Sequence, residues 1–205
     1  MNEPYRILLI EDEAQERDAV RAQLESETGE DGQTRFEVRV ACGLADAVRV
    51  LNQWLPQAVV LDFDFSRSTG EGGLTILRRI RQYDRYVPVV MLTALLKNAE
   101  DEKAVIHEGV DFILKKGLGD PSLLVEVLLR LLRERNEVID AMERWAKDNP
   151  EADEPKFLRA DGVTLTLRQA IHEMRQRTLF GRELLDTYRL GMIGLFSARH
   201  PPEAA

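Results

Sequence analysis

The sequence predicts an α/β protein whose first 120 residues form a doubly wound, five-stranded parallel sheet. Short apolar runs alternate there with helical patterns, as a parallel sheet joined by crossover helices requires. The predicted strands lie at residues 5–10, 36–41, 59–63, 87–92 and 111–115, and the predicted helices at 13–26, 44–54, 73–82 and 98–108. Apolar residues spaced three or four apart, such as Leu74, Leu77 and Ile80, support the helices.

A long helix is predicted to follow this domain, over residues 121–148. Asp120 and Pro121 supply an N-cap carboxylate and a proline at the first helical position. An apolar series with alternating steps of four and three residues, interrupted by Arg135, comprises Leu124, Leu128, Leu131, Val138, Met142 and Trp145. Two interpretations remain open: a short coiled coil that forms a dimer, or a single amphipathic helix packed on its own domain.

The rest of the chain predicts a linker and a small all-α module. Residues 149–157 are acidic and punctuated by proline, which is typical of a linker. Within 158–205, Thr166 and Gln169 form a capping-box pattern that begins one helix, and a second helix is predicted from about Gly181. We interpret this helical hairpin as an output or dimerisation module, with an apolar face of Leu179, Phe180, Tyr188 and Phe196. No helix-turn-helix pattern supports DNA binding.

Composition indicates a protein of a reducing compartment. The single cysteine, Cys42, cannot form an intramolecular disulfide. No apolar run approaches the roughly 20 residues that span a bilayer. We therefore expect a cytoplasmic protein without a membrane partner.

Polar residues of particular types stand at the ends of four predicted strands. Glu11 and Asp12 follow the first strand, Asp62 lies near the end of the third, Thr93 follows the fourth and Lys116 the fifth. Because the carboxyl ends of parallel strands share one edge of the sheet, we expect these side chains to meet there. A single loop carboxylate is often only a helix cap. Four suitable positions at four strand ends are much harder to explain in that way.

These residue types suit phosphoryl transfer to a carboxylate. Clustered carboxylates attract a hard divalent cation such as Mg2+, which offsets the charge of an incoming phosphoryl group. Asp62 is then the nucleophile, and the Lys116 ammonium steadies the charge on the transferring oxygens. Thr93 can donate a hydrogen bond to the phosphate, which would draw the following loop inward and change the adjacent surface.

The segments RILLIEDE, PQAVVLDFDF, VPVVMLTA and GVDFILKKG resemble the signature segments of bacterial response regulator receiver (CheY-like) domains, over about residues 5–130. The resemblance implies a flavodoxin-like receiver domain, with Asp62 as the phosphoacceptor. It implies that Glu11 and Asp12 are the acidic pair, that Asp12 is a direct Mg2+ ligand, and that Asp64 contributes its backbone carbonyl to the metal. The loop after Asp62 departs from the family pattern, because it lacks the usual proline and is about three residues longer.

The resemblance also assigns a switch. Thr93 matches the switch hydroxyl and Lys116 the lysine of the family, although strand alternation alone does not separate Lys116 from its neighbour Lys115. Ile113 stands where many receivers have an aromatic switch residue, and Gly117 stands where proline usually follows the lysine. The resemblance therefore does not by itself imply a conventional threonine-aromatic switch.

A receiver domain implies a response regulator of a two-component phosphorelay rather than an enzyme with a separate substrate. Its expected partners are a sensor histidine kinase or phosphotransfer protein, a second copy in a homodimer, and an unidentified protein target. One alternative is a receiver-like scaffold that works without phosphorylation. The other is a haloacid dehalogenase-type phosphotransferase using Asp62 and Asp64, but that family places its Asp-x-Asp on the first strand and needs a later acidic pair.

Overall fold

The structure is a computed structural model that describes residues 3–63, 72–85, 87–94, 99–117 and 122–188. Contacts divide the chain into two compact units, Met1–Leu132 and Arg133–Ala205. Each unit has its own hydrophobic core.

The first unit contains a five-stranded parallel sheet in the order β2-β1-β3-β4-β5. The strands are β1 (Tyr5–Ile10), β2 (Phe36–Ala41), β3 (Ala58–Asp62), β4 (Val89–Thr93) and β5 (Phe112–Lys115). Every residue of β3 and β4 is buried, as expected for central strands covered on both faces. The predicted α/β fold with five parallel strands is confirmed.

Helices cover both faces of this sheet. They are α1 (Ala14–Ser26), α2 (Leu44–Trp54), α3 (Gly73–Tyr83), α4 (Ala99–His107) and α5 (Ser122–Asp148), whose residues up to Leu132 belong to the first unit. One core cluster contains Leu51 of α2 and Ile76 of α3, and the other contains Leu24 of α1 and Leu128 of α5. Among the described residues, no helix combines the length and apolar character that crossing a bilayer demands.

Arg81 joins α3 to the chain that leads into β4 and β5. Its guanidinium donates hydrogen bonds to the carbonyl of Val87 (2.6 Å), the carbonyl of Gly109 (2.6 and 2.9 Å) and the carboxylate of Asp111 (2.8 Å). The same Asp111 oxygen accepts the backbone N–H of Val89 at 2.8 Å. Burial lowers the pKa of Arg81, and the nearby Asp111 carboxylate opposes that shift. One side chain thus donates hydrogen bonds to acceptors on the segments that precede β4 and β5.

Replacing Arg81 with alanine is expected to destabilise the first unit by roughly 2–3 kcal/mol, because two carbonyls and a carboxylate lose a charged donor. Urea unfolding followed by Trp54 fluorescence in a Trp145→Phe background reports on that unit, since the two tryptophans lie in different units. The control is Arg79→Ala, which removes an exposed side chain bonded to Gln82 and should cost less than about 0.5 kcal/mol. If both variants lost the same free energy of unfolding, the role given to Arg81 would be wrong.

The second unit combines the end of α5 with a β-hairpin and two further helices. Its elements are a 3-10 helix (Pro150–Asp153), β6 (Pro155–Leu158), β7 (Thr164–Thr166), α6 (Leu167–Gln176) and α7, of which residues 179–188 are described. Its core comprises Ile139, Ala146, Ala152, Leu167, Ile171, Met174 and Leu185. The predicted capping box begins α6: Gln169 N–H donates to Thr166 Oγ1 (3.2 Å), and Thr166 N–H donates to Gln169 Oε1 (2.9 Å).

The second unit differs from the sequence prediction in two respects. Residues 149–157, predicted to be a linker, contain the fully buried Ala152 and most of β6. An antiparallel hairpin of β6 and β7 precedes the two predicted helices, so the module is not entirely helical. The hairpin turns through Asp161 and Gly162, where Gly162 has a φ of 86°. The strands have only four and three residues, and β6 is mostly exposed, so neither shows an apolar alternation long enough to have predicted it.

The apolar series along α5 packs mainly within the two units. Its buried or partly buried members are Leu124, Leu128 and Leu131 in the first unit and Val138 and Met142 in the second. Trp145 is 46% exposed, and the side chain of Arg135 lies outside the described residues. The series is thus divided between the two cores, and both interpretations, the coiled coil with a homodimer and the single amphipathic helix packed on its own domain, remain predictions. Asp120, Pro121 and Phe196 also lie outside the described part of the chain.

Candidate functional site

Three carboxylates meet at the carboxyl edge of the sheet. β1 ends at Ile10, so Glu11 and Asp12 begin the loop beyond it, and the neighbouring β3 ends at Asp62. β1 and β3 are adjacent at the point where strand order reverses, which is where open α/β sheets bind ligands. Glu11 and Asp62 are buried. One oxygen from each of Glu11, Asp12 and Asp62 lies within 4.8 Å of the others.

Lys116 brings a positive charge to this cluster. Its Nζ donates to Glu11 Oε2 at 2.8 Å, lies 2.9 Å from Asp62 Oδ1, and also pairs with the carboxylate of Glu16 on α1. The side chain of Lys115 is exposed on β5. The structure therefore places Lys116, rather than Lys115, among the acidic residues.

Burial and charge shift the pKa values of this cluster. Burial raises the pKa of Glu11, although hydrogen bonds from Lys116 and from the backbone of Glu13 (3.0 Å) partly oppose it. Burial alone would lower the pKa of Lys116, but the hydrogen bonds to Glu11, Glu16 and Asp62 outweigh it and raise that pKa. Lys116 is therefore a fixed cation, and its charge is shared among several carboxylates.

Thr93 ends β4 beside this cluster. Its carbonyl accepts the backbone N–H of Lys116 at 2.7 Å, which ties the ends of β4 and β5 together. The residue is 2% exposed, and within the described residues its Oγ1 has no hydrogen-bond partner. A buried hydroxyl without a partner costs about 1–3 kcal/mol, so a ligand oxygen at this position would gain a donor at little further cost.

The donor set suits Mg2+. Carboxylate oxygens are the ligands that this hard cation prefers, and Glu11, Asp12 and Asp62 offer them from two adjacent strand ends. One ammonium does not neutralise three carboxylates, so the cluster favours an additional cation. Asp64, whose backbone carbonyl is the remaining predicted ligand, lies outside the described residues.

The two departures from the family pattern near Lys116 have visible structural counterparts. Ile113 is partly buried and packs against the core. Gly117 has a φ of 70°, which proline cannot adopt because its ring holds φ near −65°. The chain thus leaves the lysine in a direction that a proline at this position would forbid.

Sequence reasoning missed two residues that the structure places at the site. Glu16 reaches Lys116 from the first turn of α1, a position where carboxylates commonly offset the helix dipole, so it had an ordinary explanation. Gly73, the first residue of α3, lies against the backbone of Asp62 and Phe63. Its one signal in the sequence is that it stands at the start of the helix predicted over 73–82.

The fold and the acidic edge define a signalling domain of the receiver class. A sequence model described as "Response regulator receiver domain" matches residues 7–128, more than half of the chain, and the protein belongs to that family. This assignment favours the receiver over the haloacid dehalogenase alternative.

Similar proteins agree with this assignment. The virulence transcriptional regulatory protein PhoP of Salmonella typhimurium is 31% identical over 126 residues, covering 62% of this chain and 50% of PhoP. The chain thus spans about half the length of the curated relatives it matches. The receiver domain of NtrX from Brucella abortus superposes with a TM-score of 0.53 at 28% identity, covering 62% of this chain and 98% of that one. A CheY-like receiver domain protein from Methanospirillum hungatei, at 18% identity and a TM-score of 0.56 over 66% of this chain and 98% of that one, supports the fold alone.

Proposed function

We propose that this protein is a response regulator that accepts a phosphoryl group on Asp62 with the help of Mg2+. The observation that carries the proposal is the cluster of Glu11, Asp12, Asp62 and Lys116 at the carboxyl edge of a receiver-family sheet. The expected donor is the phosphohistidine of a sensor histidine kinase or phosphotransfer protein.

In the proposed step, a carboxylate oxygen of Asp62 attacks the phosphorus atom of the donor. A new O–P bond forms, the P–N bond to the donor imidazole breaks, and the imidazole leaves with the electron pair and takes up a proton. The Lys116 ammonium pairs with a phosphoryl oxygen, and the Thr93 hydroxyl donates to another. Mg2+ bound by the carboxylates supplies further positive charge for the transferring oxygens.

We further propose that the second unit carries the output through protein contacts. Five exposed apolar side chains among its described residues support this reading: Trp145, Leu158, Val163, Leu179 and Tyr188. Leu179 and Tyr188 belong to the apolar face predicted from sequence. A change in homodimer formation, or in binding of a protein target, would follow phosphorylation of the first unit. The regulatory role named for PhoP does not by itself assign DNA as the target.

The proposal is tested by incubating the protein with acetyl phosphate and measuring intact mass and light scattering. We expect one added phosphoryl group in the presence of Mg2+, none after chelation by EDTA, and none in Asp62→Asn, together with a change in assembly mass in the phosphorylated sample. If the wild-type protein gains no phosphoryl group, the receiver-like scaffold that works without phosphorylation becomes the better account. Phosphorylation at constant assembly mass would contradict a change in homodimer formation and leave a separate protein target as the output.

A further inference from the structure

We infer that Glu16 is a positioning residue that competes with the phosphoryl group for Lys116 and thereby slows phosphorylation of Asp62. This inference rests on the proposed function. The juxtaposition that carries it is the pairing of the Lys116 ammonium with a carboxylate from α1, in addition to the two carboxylates at the ends of β1 and β3.

The donors of Lys116 are fully used by these partners. A lysine ammonium has three N–H groups, and Glu11, Asp62 and Glu16 offer one acceptor oxygen each. A phosphoryl oxygen on Asp62 can therefore gain a hydrogen bond from Lys116 only when a carboxylate gives one up. Phosphorylation thus includes an exchange of partners at this ammonium.

Exposure decides which partner is released. The side chains of Glu11 and Asp62 are 2% and 5% exposed, whereas that of Glu16 is 43% exposed. Water can replace the lost hydrogen bond of Glu16, but it cannot readily reach the two buried carboxylates. Glu16 is therefore the partner that exchanges, and its pairing with Lys116 has to break on the way to the phosphorylated state.

Removing the competing carboxylate is expected to speed phosphorylation. Partly exposed ion pairs are worth little, so releasing Lys116 in advance should raise the rate constant by roughly three- to tenfold rather than by orders of magnitude. If Glu16 only stabilised α1, its replacement would disturb that helix and lower the rate constant. A rate increase therefore distinguishes a positioning role from a structural one.

The test compares Glu16→Gln with Glu25→Gln under saturating Mg2+ and acetyl phosphate, with the rate constant taken from intact mass. Glu25 is a matched control because it lies on the same helix, is exposed, and pairs with Arg21 at 2.9 Å away from Lys116. We expect Glu16→Gln to exceed the wild-type rate constant and Glu25→Gln to equal it. Melting temperatures measured alongside should change little in both variants.

A third variant, Glu16→Asp, separates competition from simple charge repulsion. It keeps the negative charge but shortens the side chain by one methylene, which lengthens the contact with Lys116. Competition predicts a rate constant between those of the wild type and Glu16→Gln. A wild-type rate constant for Glu16→Asp, or a rate constant for Glu16→Gln no higher than that of Glu25→Gln, would overturn the inference while leaving the proposed function intact. If the wild-type protein gains no phosphoryl group, the proposed function and this inference both fail.

Discussion

Replacing Gly73 with alanine is expected to slow phosphorylation of Asp62 by tenfold or more and to destabilise the first unit by about 2–3 kcal/mol. A Cβ at Gly73 would lie 2.6 Å from the carbonyl oxygen of Asp62, 2.8 Å from Phe63 Cα and 2.9 Å from the Phe63 carbonyl oxygen. All three are backbone atoms, so relieving the overlap moves either the start of α3 or the phosphoacceptor itself. A displacement of even 1 Å at a reacting group can cost two orders of magnitude in rate.

Gly72→Ala is the matched control for this prediction. A Cβ at Gly72, the N-cap of α3, meets no atom within 4 Å among the contacts that the structure describes. Because alanine is a poorer N-cap than glycine, we expect the free energy of unfolding to fall by less than about 1 kcal/mol. The phosphorylation rate should equal that of the wild type. Urea unfolding and intact-mass kinetics measure the two quantities. Equal rates in the two variants would show that the start of α3 does not position Asp62.

Lys116→Met is expected to destabilise the metal-free protein by about 3–5 kcal/mol, because Glu11 and Asp62 are then left buried, close together and without their cation. Mg2+ should recover a large part of this loss, since its charge replaces that of the ammonium. Phosphorylation should remain well below the wild-type level even with Mg2+, because no ammonium pairs with the transferring oxygens.

The pH dependence of Lys116→Met follows from Glu11. Burial already raises the pKa of Glu11, and losing Lys116 removes a hydrogen bond that opposes that shift. The Glu11 carboxyl then binds a proton more tightly in the folded state than in the unfolded state. The loss of unfolding free energy in Lys116→Met, relative to the wild type, should therefore shrink as the pH falls. Urea unfolding at several pH values, with and without Mg2+, measures both effects.

Lys115→Met is the control for Lys116→Met. It makes the same chemical change one residue earlier, on an exposed side chain of β5. Its stability and its response to Mg2+ should match those of the wild type. If the two variants behaved alike, the assignment of Lys116 as the cation of the site would be wrong.

The sheet and the position of the site were predictable because each depends on local sequence. Buried central strands must be continuous apolar runs, and in a parallel sheet the polar residues that follow such runs necessarily share an edge. The strand ends alone therefore predicted that Glu11, Asp12 and Asp62 would lie together at this edge. They were not sufficient to choose between Lys115 and Lys116, because β5 has only four residues and the strand alternation was ambiguous.

The second unit was harder to predict because its hairpin depends on pairing between two short segments. β6 is mostly exposed, and the two strands have only four and three residues, so neither carries a clear apolar period. The Asp161-Gly162 dipeptide between them is a strong local signal for a hairpin turn and could have predicted it. The contact of Glu16 with Lys116 is separated by 100 residues in sequence, and no local pattern announces such a contact.

Locating the phosphoryl group tests directly whether Asp62 is the phosphoacceptor. After treatment with acetyl phosphate and Mg2+, borohydride reduction converts an aspartyl phosphate to homoserine, which peptide mass spectrometry can assign to one residue. We expect conversion at Asp62 alone, and none in Asp62→Asn. Reduction of Asp12 to homoserine or of Glu11 to 5-hydroxynorvaline, or an unmodified Asp62 in protein that has gained a phosphoryl group, would contradict phosphorylation at Asp62.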